Sequence, residues 1–298
     1  MQAKSSMLGV VLKQLRVYQW AKNVLLFVPI ALAHRISDAD AMIMCLLGFV
    51  AFSCTASAVY IVNDIIDLEH DRVHPRKRHR PLAAGLVTLP TAWVLVAVLL
   101  IIATVVVVMC MPATFALWLC LYALVTTMYS FVLKKVVLVD VIALAGLYSL
   151  RMAAGGAAAS VPVSTWLLGF SLFLFMSLAF LKRYTELRDT IDRDGRLVSG
   201  RGYHTGDAEF VMVAGSALGF VAVLVFTLYV TGPQVQALYT RPYLMWLIAP
   251  CLVYWLSHLW LTAHRGGMHD DPIVFAARDP ASWLVGVSVA TIAVAATL

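Results

Sequence analysis

The chain has 298 residues, of which 62% are hydrophobic and only 13% are charged, and its formal net charge is +6. Soluble globular proteins carry about twice that share of charged residues, so the composition excludes an ordinary soluble domain and indicates a polytopic membrane protein. Apolar runs such as residues 92–111 lack the alternation of apolar and polar residues that is typical of membrane β-strands. The membrane spans are therefore predicted to be α-helices.

Nine transmembrane helices are predicted, and no change in composition marks a separate soluble domain. The spans cover residues 22–34, 41–62, 91–110, 114–132, 137–155, 164–182, 209–231, 242–263 and 282–297. The first span is short, and Trp20 and Lys22 beside it are typical of a membrane boundary. We therefore expect residues 1–298 to form a single all-α membrane domain, a bundle of nine helices.

Lys and Arg residues concentrate on one side of these spans. Of the 22 in the chain, all but Arg35, Arg151 and Arg241 fall in the N-terminal segment or in the loops after the second, fourth, sixth and eighth spans. Cytoplasmic loops of membrane proteins are enriched in Lys and Arg. We therefore expect a cytoplasmic N-terminus, a location in the plasma membrane, and a functional site that faces the cytoplasm.

Residues 63–81, NDIIDLEHDRVHPRKRHRP, follow the second span and combine acidic with basic side chains. If the helix continues past the membrane, helical spacing places four oxygen-bearing side chains on one side of it. These are Asn63, Asp64, Asp67 and Asp71. Converging carboxylates suit Mg²⁺, which prefers hard oxygen ligands and is often shared with substrate phosphates.

The basic residues after this acidic motif are suited to bind phosphate oxygens. They are Arg76, Lys77, Arg78 and Arg80. The two halves together predict a diphosphate site. If the basic residues are considered alone, the alternative to phosphate binding is a solvated loop whose positive charge only sets the membrane topology.

A second charged stretch, residues 181–204, follows the sixth span. Glu186, Asp189 and Asp192 are spaced by three, so a helical extension would place them roughly on one face. Lys182 and Arg183 lie at the membrane boundary. Glu186 is favoured for function, whereas the later acidic residues also fit an ordinary polar loop.

Three other polar positions have two interpretations each. Arg151, near the outer end of the fifth span, is either interfacial or reaches inward to a phosphate or carboxylate. Asp140 is either a charge at the start of its helix or a third acidic member of the site. Residues 269–271 before the last span are either a metal site or, as we favour, a capping and lid loop.

The motif NDIIDLEHD fits the NDxxDxxxD signature of the UbiA superfamily of membrane prenyltransferases, which the chain resembles over its whole length. Members of that superfamily also have nine helices and acidic motifs after the second and sixth. Further matching segments are RVYQWAKN (16–23), YSFVLKKVVLVDV (129–141), YSLRMAAGG (148–156) and KRYTEL (182–187). QWAKN, HPRKRHRP and KRYTEL are most similar to the branch that contains decaprenyl-phosphate phosphoribosyltransferase.

This resemblance implies transfer of a 5-phosphoribosyl group from phosphoribosyl pyrophosphate to a polyprenyl phosphate, with Mg²⁺-assisted release of pyrophosphate. The implied metal ligands are Asn63, Asp64, Asp67 and Asp71. The implied catalytic residues are Asp67, Asp71, Lys182, Tyr184 and Glu186, with the last two near the ribose. The implied substrate-binding residues are Lys22, Asn23, Arg76, Arg80, Lys134, Arg151, Arg183 and Asp189.

Two alternatives stay open at this point. Prenyl transfer from a polyprenyl diphosphate to an aromatic or other small acceptor releases pyrophosphate from the same kind of site. Two features differ from the branch: the acid-rich segment RDTIDRDGR, and Val17, which stands where the branch usually has Pro. The identity of the substrate is therefore not decided by the resemblance. A transporter of lipid-linked sugars is less favoured, because its binding groups would lie near the membrane midplane. The expected partners are these substrates and membrane lipid, with no nucleic acid, and the oligomeric state is left open.

Overall fold

The computed structural model describes residues 7–73, 77–191, 201–268 and 271–298. Within these ranges every regular element is helical, as the sequence predicts. The α-helices are α1 (Met7–Gln14), α2 (Val28–Leu32), α3 (Ala39–Ile66), α4 (Leu68–Val73), α5 (Leu89–Cys110), α6 (Ala113–Phe131), α7 (Val139–Ala158), α8 (Thr165–Ile191), α9 (Ala208–Val230), α10 (Pro233–Leu238), α11 (Ile248–His264), α12 (Pro272–Ala276) and α13 (Pro280–Thr297). The 3₁₀ helices are Val17–Phe27, Lys77–His79, Leu133–Lys135, Thr205–Asp207 and Pro242–Leu247.

Among the described residues, eight helical segments are long and apolar enough to cross a membrane. They are Ala39–Ile66, Leu89–Cys110, Ala113–Phe131, Val139–Ala158, Thr165–Ile191, Thr205–Val230, Pro242–His264 and Pro280–Thr297. They correspond to the second to ninth predicted spans and confirm the all-α membrane fold. The total of nine spans and the cytoplasmic N-terminus stay predictions.

The first predicted span, residues 22–34, differs from its expected form. The helical segment begins at Val17 as an 11-residue 3₁₀ helix and ends with the 5-residue α2 at Leu32. Pro29 lies in the first turn of α2, where the missing backbone N–H is tolerated. A 3₁₀ helix rises about 2.0 Å per residue, so the segment Val17–Leu32 extends roughly 30 Å, the thickness of a bilayer's hydrocarbon core.

The described chain forms two compact units. The first unit consists of the residues up to Phe131 together with Leu150–Val163, and the second consists of Val132–Ser149 and the residues from Ser164 onwards. Helix α7 therefore contributes its first part to the second unit and its last part to the first. The single domain over residues 1–298 stays a prediction.

The first unit is built on α3, which packs along α5 through buried apolar side chains such as Ala58, Ile61 and Val96. Gly155, in the last part of α7, lies against the backbone of the 3₁₀ segment. A Cβ at this position would fall 2.0 Å from the carbonyl oxygen of Leu26, so only glycine permits this approach. This contact fixes α7 beside the 3₁₀ helix Val17–Phe27, which contains Asn23.

The second unit is built on α8, which packs along α9. At Gly215 of α9, a Cβ would lie 2.6 Å from the Cβ of Phe180 and 2.5 Å from the ring of Trp260. The absence of a side chain there lets the two helices and Trp260 pack closely. Helix α8 continues past the predicted end of its span to Ile191, so the KRYTEL segment is helical, as the sequence predicts.

Candidate functional site

The first acidic motif lies at the junction of α3 and α4. Helix α3 ends at Ile66, and Asp67 is its C-terminal cap. The helical hydrogen-bond spacing nevertheless continues through the junction, because the Asp67 N–H donates to the Asn63 carbonyl at 2.9 Å and the Asp71 N–H to the Asp67 carbonyl at 2.8 Å. The predicted helical continuation is confirmed, with a change of helix at Asp67.

Asp64 is buried in this junction, with 3% of its side chain exposed. Its Oδ1 accepts hydrogen bonds from Arg16 at 2.5 Å and Arg80 at 3.0 Å, and its Oδ2 accepts one from Gln14 at 3.2 Å. Two guanidinium groups offset the cost of burying this carboxylate. The Arg16 guanidinium also lies over the ring of Tyr60, 5.1 Å from its centroid.

Asp71 is also buried, with 1% exposed, and it shares one cation with Asp64. The same Nη1 atom of Arg80 donates to Asp71 Oδ2 at 2.5 Å and to Asp64 Oδ1. Lys77 lies further away, with its Nζ 3.8 Å from Asp71 Oδ1, and this oxygen makes no hydrogen bond with the described residues. Arg76, predicted to bind phosphate, is outside the described residues.

Asp67 and Asn63 supply oxygen atoms that other side chains leave open. The half-buried Asp67 carboxylate makes no hydrogen bond or ion pair with the described part of the chain. The Asn63 Nδ2 donates to Ser130 Oγ at 2.8 Å, which leaves the Asn63 Oδ1 as an acceptor. These atoms and Asp71 Oδ1 are hard oxygen donors of the kind that Mg²⁺ prefers.

The predicted magnesium ligands do not form a preassembled cluster. Across the described ranges, no group of three or more His, Cys, Asp or Glu side chains is arranged to hold a metal ion. Arg80 joins Asp64 to Asp71 instead. The donor chemistry therefore fits Mg²⁺ at Asn63, Asp67 and Asp71, whereas Asp64 is held by cations of the chain.

A buried polar network connects three parts of the first unit. The Arg151 Nε donates to Asn23 Oδ1 at 2.9 Å, and its Nη2 donates to the Tyr122 hydroxyl at 3.0 Å. The Asn23 Nδ2 donates to Ser53 Oγ at 3.0 Å. Arg151 and Asn23, both predicted to bind substrate, are thus brought together, and the burial of Arg151 favours the inward-reaching interpretation. Lys22 is half-buried next to Asn23 in the chain.

A cavity of about 450 Å³ lies at the other end of α3, near Ala41 and Met44. Arg35 and residues 158–160 also line it. Because Asp64 and Asp71 are at the opposite end of the helix pair α3 and α4, this cavity is separate from the predicted diphosphate site.

In the second unit, Asp140 is completely buried and binds three partners. Its Oδ2 accepts from Arg183 Nε at 2.7 Å and from Arg201 Nη1 at 3.5 Å, and its Oδ1 accepts from the Tyr203 hydroxyl at 2.8 Å. Arg183 is 1% exposed and also donates to Glu186, which in turn pairs with Arg201 Nε at 3.1 Å. The predicted residues Arg183 and Glu186 therefore belong to one ion network with Asp140.

Tyr203 and Arg201 in this network were missed by sequence reasoning. Their only sequence signal is the segment RGYH at the end of the second charged stretch. Burial raises the pKa of the Tyr203 hydroxyl above its usual range, and its hydrogen bond from the Leu138 N–H opposes this shift. Tyr203 therefore stays protonated and donates to Asp140 at neutral pH.

Lys182 and Tyr184 contact the end of α11 and the segment that joins it to α13. The Lys182 Nζ donates to Asp271 Oδ2 at 2.7 Å, and Asp271 Oδ1 accepts from the Ile273 N–H at the start of α12. The Tyr184 hydroxyl lies 3.1 Å from His264 Nδ1. Asp271 thus acts as a helix cap, in agreement with the favoured interpretation, while residues 269 and 270 are outside the described ranges.

Three further predicted residues lie elsewhere in the chain. Lys134 and Asp189 are half-buried, in the 3₁₀ helix Leu133–Lys135 and near the end of α8. Asp192 is outside the described residues.

The sequence of residues 24–296 matches the family model of the UbiA prenyltransferase family. The chain belongs to this family. Its relatives include the uncharacterized protein y4nM of Sinorhizobium fredii, 38% identical over 94% of this chain and 54% of y4nM. The nodulation protein NoeC of Azorhizobium caulinodans is 34% identical over 90% of this chain and 86% of NoeC.

Decaprenyl-phosphate phosphoribosyltransferase of Mycobacterium tuberculosis is also similar, with 36% identity over 62% of this chain and 63% of the enzyme. This UbiA chain thus spans about half the length of y4nM and less than two thirds of the mycobacterial enzyme. Among solved structures, a UbiA homolog from Archaeoglobus fulgidus bound to GPP and Mg²⁺ has a TM-score of 0.69, 15% identity, and coverage of 95% of this chain and 96% of that one. This likeness shows the UbiA fold.

Proposed function

We propose that this UbiA-family protein transfers a 5-phosphoribosyl group from phosphoribosyl pyrophosphate to a polyprenyl phosphate and releases pyrophosphate. An oxygen of the lipid phosphate forms the new bond to the anomeric carbon of the ribose, while the bond from that carbon to the pyrophosphate oxygen breaks. The reaction takes place at the cytoplasmic face of the plasma membrane, where a water-soluble donor meets a lipid acceptor.

The observation that carries this proposal is the ion cluster at the junction of α3 and α4. Arg16, Lys77 and Arg80 all lie within 4 Å of a carboxylate of Asp64 or Asp71. Such a convergence of cations beside open carboxylate oxygens suits a metal-bound diphosphate, since the cations pair with phosphate oxygens and the carboxylates pair with the metal. The similarity to decaprenyl-phosphate phosphoribosyltransferase favours a phosphoribosyl donor over other diphosphates.

In this proposal, Asn63, Asp67 and Asp71 would hold Mg²⁺, with Asp64 as the fourth predicted ligand. The metal would supply positive charge that stabilises the leaving pyrophosphate. Arg80 and Lys77, with the predicted Arg76, donate hydrogen bonds to phosphate oxygens that the metal leaves open. The lipid phosphate is already ionised at neutral pH, so the acceptor oxygen needs no strong general base.

Residues of the second unit are assigned one by one. Lys182 binds a phosphate of the donor or the lipid, and Tyr184 and Glu186 lie beside the ribose. Arg183 is held between Asp140 and Glu186, so in this proposal it positions Glu186. Lys134 and Asp189 of this unit, and Lys22, Asn23 and Arg151 of the first unit, stay proposed substrate-binding residues.

Prenyl transfer from a polyprenyl diphosphate to an aromatic acceptor is the second candidate, favoured by the fold shared with the GPP-bound UbiA homolog. Two incubations of the full chain in detergent separate the candidates. The first contains Mg²⁺, polyprenyl phosphate and labelled phosphoribosyl pyrophosphate, and the second contains Mg²⁺, a polyprenyl diphosphate and a labelled aromatic acid. Lipid-linked label in the first mixture alone is expected, and label in the second alone would contradict the proposal.

A matched pair of variants ties this activity to the acidic motif. Asp67→Ala removes an open carboxylate and should abolish turnover. Glu69→Gln changes an acid two residues away that is 82% exposed and pairs only with Arg72 in the described chain. It should leave turnover unchanged, and an equal loss in both variants would contradict the assigned role of Asp67.

A further inference from the structure

We propose that Arg80 and the divalent cation compete for the same oxygens of Asp64 and Asp71, so that the metal binds together with the diphosphate and not before it. This inference rests on the proposed function only in taking a diphosphate as the ligand. It assigns Arg80 two alternating partners: the two carboxylates, and then the phosphate oxygens.

The position of Arg80 is the first observation behind this inference. One nitrogen, Nη1, lies 3.0 Å from Asp64 Oδ1 and 2.5 Å from Asp71 Oδ2. Asp64 Oδ1 and Asp71 Oδ2 would become available to a divalent cation once this nitrogen moves away from them. The Arg80 side chain is 29% exposed, and the backbone of Arg80 is fixed by hydrogen bonds with Lys77 and Ala84, so the side chain can reorient without moving the chain.

The local charge disfavours binding of a divalent cation without a diphosphate. Within 4 Å, the two buried carboxylates meet three cations, Arg16, Lys77 and Arg80. These cations already neutralise Asp64 and Asp71, so a divalent cation that displaces none of them gains little electrostatic energy there. A diphosphate supplies several negative charges and also accepts the hydrogen bonds that Arg80 gives up.

Asp71 carries the second observation that points to a ligand. Its Oδ1 is buried and makes no hydrogen bond with the described residues, whereas its Oδ2 is bound by Arg80. In the second unit, both oxygens of the buried Asp140 accept hydrogen bonds. The oxygen that Asp71 keeps open is thus beside the one that Arg80 covers, and the loss of Arg80 would expose both to a metal.

The test measures metal binding without any catalytic turnover. The full chain in nanodiscs is titrated with Mn²⁺ as an electron paramagnetic resonance probe, with and without inorganic pyrophosphate. For the wild type, we expect pyrophosphate to tighten Mn²⁺ binding by about 10-fold or more. Arg80→Gln should tighten the binding of Mn²⁺ alone by a similar factor and reduce the effect of pyrophosphate.

Arg72→Gln is the matched control, because it removes the same charge near the motif. Arg72 is 52% exposed and pairs with Glu69, so its loss should leave both titrations unchanged. If Arg80→Gln folds poorly, thermal unfolding with and without Mg²⁺ provides a second measurement of metal binding. Mg²⁺ should raise the unfolding midpoint more for Arg80→Gln than for the wild type.

The inference is overturned if wild-type protein binds Mn²⁺ equally well with and without pyrophosphate, or if Arg80→Gln weakens the binding of Mn²⁺ alone. Failure of the proposed reaction gives a different result. In that case, phosphoribosyl transfer is missing, while the pyrophosphate dependence of Mn²⁺ binding and its change in Arg80→Gln persist.

Discussion

The two units each bury carboxylates beside arginines, but they satisfy them differently. In the second unit, Asp140 uses both oxygens, and Arg183, Arg201 and Tyr203 surround it. In the first unit, one oxygen of Asp71 accepts no hydrogen bond from the described residues, and the carboxylate of Asp67, four positions earlier, pairs with none of them either. A saturated ion network holds a fold together, whereas a partly saturated one retains the capacity to bind a ligand.

The largest expected effect is on stability, in the saturated network. Asp140→Asn leaves Arg183 buried without its main charge partner and should lower the free energy of unfolding by about 3 kcal/mol or more. Denaturant titration in mixed micelles measures this loss. The double variant Asp140→Asn/Arg183→Met should recover part of it, and a single variant as stable as the wild type would show that the network does not hold this unit together.

The next effect is on activity, in the open cluster. Asp67→Asn keeps the shape of the side chain but removes its charge, and it should lower kcat by about 10²- to 10³-fold. Because Asp67 makes no ion pair with the described residues, the unfolding midpoint should change little. Transfer assays and thermal unfolding of the same preparation test this. A large loss of stability with normal kcat would show that Asp67 stabilises the fold and does not act in the reaction.

A smaller effect is expected from Tyr203→Phe, which removes one hydrogen bond to Asp140. The loss of a hydrogen bond to a buried charge should cost about 1.5 kcal/mol of stability at neutral pH. Since burial raises the pKa of Tyr203, the stabilisation is fully present below the tyrosine pKa of the unfolded chain, about 10. It is lost as the pH rises above that value.

Unfolding midpoints of wild type and Tyr203→Phe between neutral pH and strongly alkaline pH reveal this dependence. The difference between the two proteins should shrink as the pH rises. A difference that stays constant over this range would contradict the role of the protonated hydroxyl.

The smallest effect is expected from the exposed ion pair between Arg72 and Glu69. Surface pairs of this kind contribute about 0.5 kcal/mol or less. Arg72→Gln should therefore leave stability almost unchanged in denaturant titration. A loss as large as that of Asp140→Asn would indicate that the exposed face of α4 has a structural partner.

Much of this architecture follows from the sequence because it depends on local patterns. Continuous apolar runs predict the second to ninth spans, and the spacing of Asn63, Asp67 and Asp71 predicts their helical continuation. The 3₁₀ form of Val17–Phe27 was not predicted, since apolar composition indicates length but not the helix type. Long-range partners were missed as well: Arg16 and Asp64 are 48 positions apart, and Tyr203 and Asp140 are 63 apart. Only packing of the helices brings them together.

The same limit applies to the candidate site. The sequence groups Asp64, Asp67 and Asp71 as equivalent carboxylates. The structure instead pairs Asp64 with Arg16, Arg80 and Gln14, while no other described residue pairs with the Asp67 carboxylate. Which carboxylate is paired depends on where Arg16 and Arg80 reach after folding. A motif therefore indicates the chemistry of the site but not the division of roles within it.

Phosphoribosyl pyrophosphate with a carbon label in the ribose and a phosphorus label at the β-phosphate tests the central claim most directly. With Mg²⁺ and polyprenyl phosphate, the carbon label should move to the lipid fraction while the phosphorus label is released as pyrophosphate. With Asp67→Asn, both labels should leave the donor about 10²- to 10³-fold more slowly. Recovery of both labels in the lipid, or a wild-type protein that moves neither while it prenylates an aromatic acceptor, would contradict phosphoribosyl transfer.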